Sequence, residues 1–344
     1  MKLNVGLTFN LGKNDPPKDG EPPDAHAEFD SEATVMAIAD ALASGGHEVA
    51  LIEGNEEAYP RLRTLRPDVV FNICEGIRGA SRESHMPAIL EMLGIPYTGS
   101  GVLALAVSLD KAAAKKLFRY HGVPTPAFRV VEPGETVDWS GLRFPLFVKP
   151  ACEGSSMGVS PASKVMTPAE LIDRVTLVHQ CYRQPALVEE FVSGREFTVG
   201  IVGNENPTIF PVLEINHDIV PPDHNRVYSY QFKKEWDADE YYLCPAPVDA
   251  VLEELLKRTA LDAFRALGCV DVGRVDIRLG EDGVPYVLEV NALPGLSPGF
   301  SDLCRQAEVA GWTYPQLVNG ILEAALARHR AHAHRLHRFA QSAD

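Results

Sequence analysis

The first hundred residues alternate between short apolar runs and amphipathic stretches. Residues 3–9, 47–52 and 68–73 are apolar enough to form buried strands, and residues 32–44 have a helical period that ends at two glycines. Strand, helix and strand in this order indicate a parallel α/β unit. The pattern therefore predicts a parallel sheet with covering helices over residues 1–105.

Beyond residue 105 the pattern is less regular. Residues 110–121 and 251–267 are predicted helices, each followed by a glycine. Residues 216–237 are polar, contain aromatic side chains and have no clear period, which predicts a long functional loop.

The chain ends in a His- and Arg-rich tail after a predicted helix over residues 314–327. Its histidines could bind a metal ion, or the tail could be a solvated and frayed helical end. The absence of cysteine or carboxylate ligands close by favours the second interpretation. The four histidines are His329, His332, His334 and His337.

The composition is that of a soluble globular protein, with 45% hydrophobic and 23% charged residues in a chain of 344. A formal net charge of -15 argues against binding to a nucleic-acid backbone, which requires a basic surface. The six cysteines are scattered without a CxxC pair, as expected of free thiols in a reducing compartment. Neither a signal peptide nor a membrane span is recognisable, so we expect a cytoplasmic protein.

A glycine- and serine-rich loop, KPACEGSSMG, follows a predicted strand at residues 149–158. Such a loop can turn successive backbone N–H groups toward phosphate oxygens, while Lys149 supplies a fixed positive charge. The segment is not a Walker A loop, and no GxGxxG follows the first strand. Taken alone, a loop of this composition is more often an ordinary turn. The N–H groups in question belong to Gly154, Ser155, Ser156, Met157 and Gly158.

Two predicted strands flank a Gly-Glu-Asp-Gly turn in GRVDIRLGEDGVPYVLEVNALPG. Pairing them from the turn outward places Arg274 opposite Glu289. Because side chains alternate along a strand, Asp276 and Asn291 project from the same face as these two. Two carboxylates and an amide oxygen form a hard-oxygen site suited to Mg²⁺. The alternative is a solvent-facing polar side of a hairpin, on which Arg274 and Asn291 would not be required.

An acidic pair, Glu189 and Glu190, ends the apolar strand in LVEEFVSGREF, and Glu196 enters the next strand after a turn. Carboxylates at such a hinge can accept hydrogen bonds from an adenine amino group and from ribose hydroxyls. This signal is weak alone, because acidic residues between strands are common.

In their order along the chain, these motifs resemble the D-alanine–D-alanine ligases of the ATP-grasp superfamily. The segments are IPYTGSG, LDKAAAKKLFRYHGVPTP, KPACEGSSMGV, VEEFVSGREFTV and RVDIRLGEDGVPYVLEVNALPGLSP, and the similarity extends over most of residues 69–300. The resemblance implies an ATP-grasp fold, in which two α+β lobes enclose ATP and Mg²⁺ or Mn²⁺ behind an N-terminal Rossmann-like α/β domain. It also implies that one substrate's carboxylate becomes an acyl phosphate, which the second substrate's amine attacks. The expected domains are residues 1–105, 106–190 for the central lobe, 191–325 for the C-terminal lobe with its lid loop, and 326–344 for the tail.

The same resemblance assigns roles to individual residues. It implies phosphate contacts from Lys111, Lys149, Lys233 and the loop with its Ser155, and adenine or ribose contacts from Glu189, Glu190, Phe191, Val192 and Glu196. It implies Mg²⁺ ligands at Asp276, Glu289 and Asn291, and stabilisation of the tetrahedral intermediate by Arg274 and the Gly295 backbone N–H.

The departures from the family pattern lie where the substrates should bind. In EGIRGASRESHMP, Glu75 replaces a histidine and Arg82 an acidic residue; in YSYQFKK, Lys234 replaces the tyrosine that would bind Ser155. Phe300 falls where a serine would bind the second substrate's carboxylate, with Ser301 next to it. Either Glu28 or Glu32 could anchor the first substrate's amine.

We therefore predict an ATP-dependent carboxylate–amine ligase, and the departures leave open whether its substrates are D-alanine or other compounds. The expected partners are small amino-acid or carboxylate substrates, and relatives of this kind suggest a homodimer through the N-terminal domain. One alternative is an ATP-dependent enzyme that phosphorylates a carboxylate and passes it to an acceptor other than an amine. Another is a nucleotide-binding module without turnover.

Overall fold

The computed structural model describes residues 2–12, 22, 24–25, 27–220, 224–229 and 239–341, with residues 333–341 and Asp239 described by their backbone only. The described strands form three sheets. Each sheet comes from a continuous part of the chain, and the helices that follow its strands cover it.

The first sheet is parallel, with strand order β2-β1-β3, as the apolar runs predict. Ser31 caps the first helix by accepting a hydrogen bond from the Thr34 amide at 3.1 Å. The elements are β1 (Asn4–Phe9), α1 (Glu32–Ser44), β2 (Glu48–Glu53), α2 (Ala58–Leu65), β3 (Val69–Asn72) and α3 (His85–Leu93).

The second sheet is antiparallel and has the order β4-β7-β5-β6. Two helices precede it in the chain, and a third follows its shortest strand. The elements are α4 (Val102–Leu109), α5 (Lys111–Tyr120), β4 (Phe128–Val131), β5 (Leu146–Pro150), β6 (Lys164–Val165), α6 (Pro168–Tyr182) and β7 (Ala186–Glu190).

The third sheet is also antiparallel, with the order β11-β10-β8-β12-β13 and β9 paired to β8. Its elements are β8 (Glu196–Val202), β9 (Thr208–Ile209), β10 (Leu213–Ile215), β11 (Tyr242–Leu243), α7 (Ala250–Ala266), β12 (Val272–Leu279), β13 (Pro285–Asn291), α8 (Asp302–Val309) and α9 (Tyr314–Gln341). In the part of the chain that the structure describes, no helix is both long and apolar enough to cross a lipid bilayer.

The β12–β13 hairpin has a different register from the predicted one. Arg274 pairs with Asn291 and Asp276 pairs with Glu289, so the prediction that Arg274 faces Glu289 was wrong. The ladder begins one residue later at the turn than predicted and slips by one more at a β-bulge. Because two slips of one residue restore the alternation of faces, the four side chains still share one face.

The C-terminal helix α9 connects the end of the chain to the first sheet's domain. Asn319 donates to the Ala41 carbonyl at 2.8 Å, and Arg328 binds Asp271 at 2.7 Å. His329 Nε2 lies 3.0 Å from the Tyr97 carbonyl oxygen. The helix thus continues past residue 327, where the sequence pattern predicted its end, and the first part of the tail is packed rather than frayed. The side chains of His334 and His337 lie outside the described residues, and the domain boundaries remain predictions.

Candidate active site

The loop at residues 149–158 leaves β5 and has an unusual backbone. Ser155 and Ser156 both have left-handed φ angles, 45° and 58°, which non-glycine residues adopt at a cost. Gly154 donates to the Glu28 carboxylate at 2.7 Å, and a Cβ at Gly154 would overlap that carboxylate. The loop conformation is therefore fixed by contacts from the first domain.

Three of the five predicted phosphate-facing N–H groups already have partners. Gly154 donates to Glu28, Gly158 donates to Asp24 at 2.7 Å, and Met157 donates to the Gly154 carbonyl at 2.8 Å. In this conformation two carboxylates and the loop's own carbonyl accept from these donors, and the contact of the loop with phosphate stays a prediction. Ser156 Oγ lies 3.2 Å from the Tyr228 carbonyl oxygen, so the segment after residue 223 contacts the loop.

Three buried lysines in or near the cleft are paired with carboxylates. Lys149 and Lys115 each lie 2.8 Å from Glu189, and Lys111 lies 3.0 Å from Glu289. Burial lowers the pKa of Lys115 to about 8. Burial acts to raise the pKa of Glu189, but the two lysines outweigh it and lower the pKa. The sequence analysis missed Lys115, although its position one helical turn after Lys111 places both on one face of α5.

A second charge cluster surrounds Glu196, the predicted ribose ligand. Arg278 binds Glu196 at 2.7 Å, and His217 Nε2 lies 2.8 Å from it. Burial acts to raise the pKa of Glu196, but Arg278 and His217 lower it to about 2. The Arg278 guanidinium also lies 4.8 Å from the Phe191 ring centre and donates to the Val192 carbonyl at 2.9 Å. The sequence analysis missed Arg278 and His217; alternation along β12 beyond Asp276 could have indicated Arg278.

The hairpin face is held in place by hydrogen bonds to Asp276. Arg274 Nε and Nη2 donate to its two oxygens at 3.0 Å, and the Asn291 amide donates at 2.9 Å. Thr198 Oγ1 on β8 donates at 2.6 Å. Attraction from Asp276 raises the pKa of Arg274 in spite of its burial, so this guanidinium is permanently charged.

The donor set on this hairpin fits Mg²⁺ shared with a phosphate ligand. No group of three or more His, Cys, Asp or Glu side chains in the described ranges could hold a metal alone. Asp276 and Glu289 face each other across the ladder, and Asn291 adjoins Asp276. Two carboxylates and an amide leave coordination positions for water and phosphate oxygens, as Mg²⁺ prefers.

The structure brings most of the predicted nucleotide residues to one narrow pocket between the second and third sheets. Of the predicted site residues, Lys111, Lys149, Ser156, Met157, Glu189, Glu190, Phe191, Val192, Glu196, Asp276 and Glu289 line it. Lys233 and Lys234 lie outside the described residues, so their predicted roles are not addressed by the structure.

A larger cavity of about 500 Å³ adjoins this pocket on the side of the first domain. Of the predicted residues, Glu28, Glu75, Gly154, Ser155, Arg274, Asn291, Gly295, Phe300 and Ser301 line it. Glu32 is exposed on α1 and does not line the cavity, whereas Glu28 does, so the position of Glu28 fits the predicted amine anchor better. Helix α1 begins at Glu32, and the turn before the helix, rather than its first residue, reaches the cavity.

Arg82 connects the first domain to the loop without lining this cavity. It binds Glu28 at 2.6 Å and Glu153 at 2.8 Å, and it donates to the Cys152 carbonyl at 3.1 Å. Attraction from Glu28 and Glu153 outweighs burial and raises the pKa of Arg82. Glu28, the predicted amine anchor, is therefore already engaged by Arg82 and by the Gly154 amide.

Comparison with known proteins decides the family. A family profile described as "D-ala D-ala ligase C-terminus" matches residues 117–323. The chain belongs to the D-alanine–D-alanine ligase family. It is 33% identical over 305 residues to a D-alanine–D-alanine ligase of Pelotomaculum thermopropionicum, which covers 85% of this chain and 91% of the relative. It is 38% identical over 301 residues to the uncharacterised protein y4sG of Sinorhizobium fredii, covering 85% and 87%.

The fold agrees with this assignment to the D-alanine–D-alanine ligase family. The crystal structure of the D-alanine–D-alanine ligase from Bacillus anthracis complexed with ATP has a TM-score of 0.74 and 25% identity to this chain, covering 96% of this chain and 99% of that one. The predicted ATP-grasp fold and ligase class are therefore confirmed. The relative with 38% identity is named without a substrate, so the family alone does not fix the substrates of this member.

Proposed function

We propose that this chain uses ATP and Mg²⁺ to join the carboxylate of one small molecule to the amine of another through an acyl phosphate. One observation carries the proposal: Lys111, Lys149, Asp276 and Glu289, which are distant in the sequence, line one pocket beside the strained loop. Fixed cations and a metal site of this kind match the spread negative charge of phosphoryl transfer.

Each group on the chain has a task in this scheme. Mg²⁺-ATP, when bound, supplies the phosphoryl group that activates the substrate carboxylate. Lys111 and Lys149 hold phosphate oxygens, and Asp276, Glu289 and Asn291 hold the cation. Phe191, Val192 and the Glu196–Arg278 pair face the nucleoside. Ser155 and the N–H groups of its loop contact phosphate once the loop's present partners are displaced.

The bonds balance in two steps. A substrate carboxylate oxygen bonds to the γ-phosphorus as ADP leaves, and the amine nitrogen of the second substrate then bonds to the carbonyl carbon as phosphate leaves and a proton is lost. Arg274, which is charged and buried beside the cavity, and the Gly295 N–H stabilise the negative oxygen of the tetrahedral intermediate. Residues 216–237, the lid loop of the sequence analysis, lie partly outside the described residues; their proposed task is to exclude water from the acyl phosphate.

The substrates are amino acids or small carboxylates, and D-alanine is one candidate because it appears in the names of the relatives. We further propose the domain limits 1–105, 106–190 and 191–325, a homodimer and a cytoplasmic location. Glu75 and Phe300 line the cavity and Arg82 binds Glu28 beside it, whereas none of the three lines the nucleotide pocket, so a change of substrate fits these departures better than a loss of ATP chemistry.

The decisive experiment is an ADP-release screen with Mg²⁺-ATP across D- and L-amino acids, singly and in pairs, followed by mass spectrometry of the products. We expect ADP release that requires an amine and a product with the mass of an amide. Release that needs a carboxylate but no amine would indicate a phosphorylating enzyme instead. ATP binding without ADP release across the whole panel would indicate a module without turnover.

A further inference from the structure

The cavity beside the nucleotide pocket is strongly acidic on its first-domain side. Three carboxylates there have no hydrogen bond or ion pair of their side chains with any residue that the structure describes. They come from separate elements: the turn before α1, the segment after β3, and the 3₁₀ turn before α3. We call these residues, Asp30, Glu75 and Glu83, the acidic wall.

The cations near the acidic wall form ion pairs with other carboxylates. Lys111 pairs with Glu289, and Arg82 pairs with both Glu28 and Glu153. Arg274, the other cation at this cavity, pairs with Asp276 and lies 3.9 Å from Asp302. Each of these cations is therefore paired with another carboxylate, and within the described ranges none forms an ion pair with the acidic wall.

Glu83 shows that the wall is built rather than incidental. It is only 8% exposed, yet it lines the cavity and its carboxylate has no protein partner among the described residues. A buried carboxylate without a partner costs free energy, so buried acids are normally paired. In the described part of the chain, no three acidic, His or Cys side chains have the arrangement to hold a metal ion by themselves.

The pKa values of the three carboxylates are raised, as expected of buried acids that form no ion pair. Burial raises the pKa of Asp30 to about 7. Burial, followed by repulsion from Glu28, raises the pKa of Glu83 to about 8, although Arg82 and Lys111 oppose the shift. Burial and repulsion from Glu83, Glu28 and Asp30 raise the pKa of Glu75, although Arg82 opposes the shift.

We propose that the acidic wall binds an ammonium group on the side chain of the substrate, so that this enzyme acts on a diamino carboxylic acid. One ammonium needs one carboxylate, and the excess of three unpaired carboxylates fits a substrate with more than one positive charge. The substrate's carboxyl group must bind in the same cavity. Lys111, Arg274 and Gly295, to which we assign roles in activating the carboxylate, also line this cavity. The volume of about 500 Å³ suits a small molecule. This inference deepens the proposed function and rests on it.

The test measures binding and turnover separately. Isothermal titration calorimetry at pH 7.5, with the full chain, Mg²⁺ and a non-hydrolysable ATP analogue, compares ornithine and lysine with their uncharged counterparts norvaline and norleucine, each as D and L forms. We expect at least one diamino acid to bind about tenfold more tightly or better than its counterpart. Glu83→Gln should weaken that binding about tenfold or more and leave affinity for the ATP analogue unchanged.

Matched variants keep the outcome clear. Glu75→Gln provides a second test of the wall if Glu83→Gln does not fold, and Glu254→Gln, on the exposed face of α7, should bind like the wild type. Equal affinity for charged and uncharged ligands, no binding of any of the eight ligands, or unchanged affinity in both wall variants would overturn the inference.

Turnover separates this inference from the proposed function. ADP release with uncharged amino acids and none with diamino acids would sink the inference and leave the ligase activity standing. Tight, Glu83-dependent binding of a diamino acid without amine-dependent ADP release would support the wall and contradict the proposed function.

Discussion

The two halves of the cleft treat buried charge in opposite ways. In the nucleotide pocket every buried carboxylate has a cation: Glu189 has two lysines, and Glu196 has Arg278. In the adjoining cavity Asp30, Glu75 and Glu83 have none among the described residues. The first half is therefore organised by its own ion pairs. In our proposal this half binds the nucleotide, and the second half selects a substrate that brings its own positive charge.

The two halves of the cleft also differ in how pH changes the stability of the folded protein. The folded-state pKa of Glu196, about 2, lies below its ordinary value of 4.5, so its stabilisation is present above pH 4.5 and is lost as pH falls toward 2. The folded-state pKa of Glu83, about 8, lies above 4.5, so the folded form is penalised progressively as pH rises from 4.5 to 8. Substitutions at Glu196 and Glu83 can therefore be distinguished by the pH dependence of their effect on stability.

The largest effect is expected at the metal face of the hairpin. Glu289→Gln removes a proposed Mg²⁺ ligand and the partner of Lys111. We expect ADP release to fall on the order of 10³- to 10⁴-fold, which is about 4–5.5 kcal/mol in the activation free energy. Steady-state kinetics with the best substrates of the screen measure it, with Glu254→Gln as the control. An unchanged rate would show that the hairpin does not hold the catalytic cation.

The second-largest effect is expected when the Glu196–Arg278 ion pair of the nucleotide pocket is removed. Glu196→Gln leaves Arg278, which is 4% exposed, without its counter-charge, and should reduce the free energy of unfolding by about 3 kcal/mol at pH 7. Urea unfolding measures this loss. The gap between wild type and variant should narrow as pH falls from 5 toward 3, because the carboxylate of the unfolded wild type then takes up a proton while that of the folded form, with its pKa of about 2, stays ionised. A gap that stays constant over this range would contradict the pairing.

Removing an unpaired charge from the adjoining cavity should stabilise the protein rather than destabilise it. Glu83→Gln keeps the shape of the side chain and removes the charge that nothing neutralises. In the ligand-free protein we expect it to raise the free energy of unfolding by about 2 kcal/mol at pH 8.5, and to change it little at pH 4.5 or below. Urea unfolding at the two pH values provides the measurement. Destabilisation at pH 8.5 would mean that Glu83 has a stabilising partner and would end the contrast between the halves.

The smallest effect is expected outside the cleft, at His329 on α9. His329→Ala removes one hydrogen bond to the Tyr97 backbone and should cost about 1 kcal/mol. His332→Ala, three residues later and exposed, should change stability little. Thermal unfolding of the two variants compares them. Equal melting temperatures would show that the packed part of the tail contributes nothing to stability.

Local pattern and motif order were enough for the fold class and the nucleotide pocket. The bounds of α1 follow from its helical period and the Ser31 cap, and the motifs from Lys111 to Asn291 identify the family and most pocket residues. Strand alternation placed Arg274, Asp276, Glu289 and Asn291 on one face even though the predicted register was wrong. Periodicity tolerates an even slip, because a side chain two residues along a strand points the same way.

The partners of charged residues were decided only by the tertiary structure. Arg82 joins Glu28 and Glu153 across 54 and 71 residues, which no local pattern specifies. The choice of Glu28 over Glu32, the second lysine on Glu189 and the absence of a partner for Glu83 in the described part of the chain depend likewise on how the domains pack. The order of the motifs along the sequence was enough for the resemblance to the ATP-grasp ligases, since each motif is local. Packing decided which carboxylates remain without a partner, because pairing depends on distance in space.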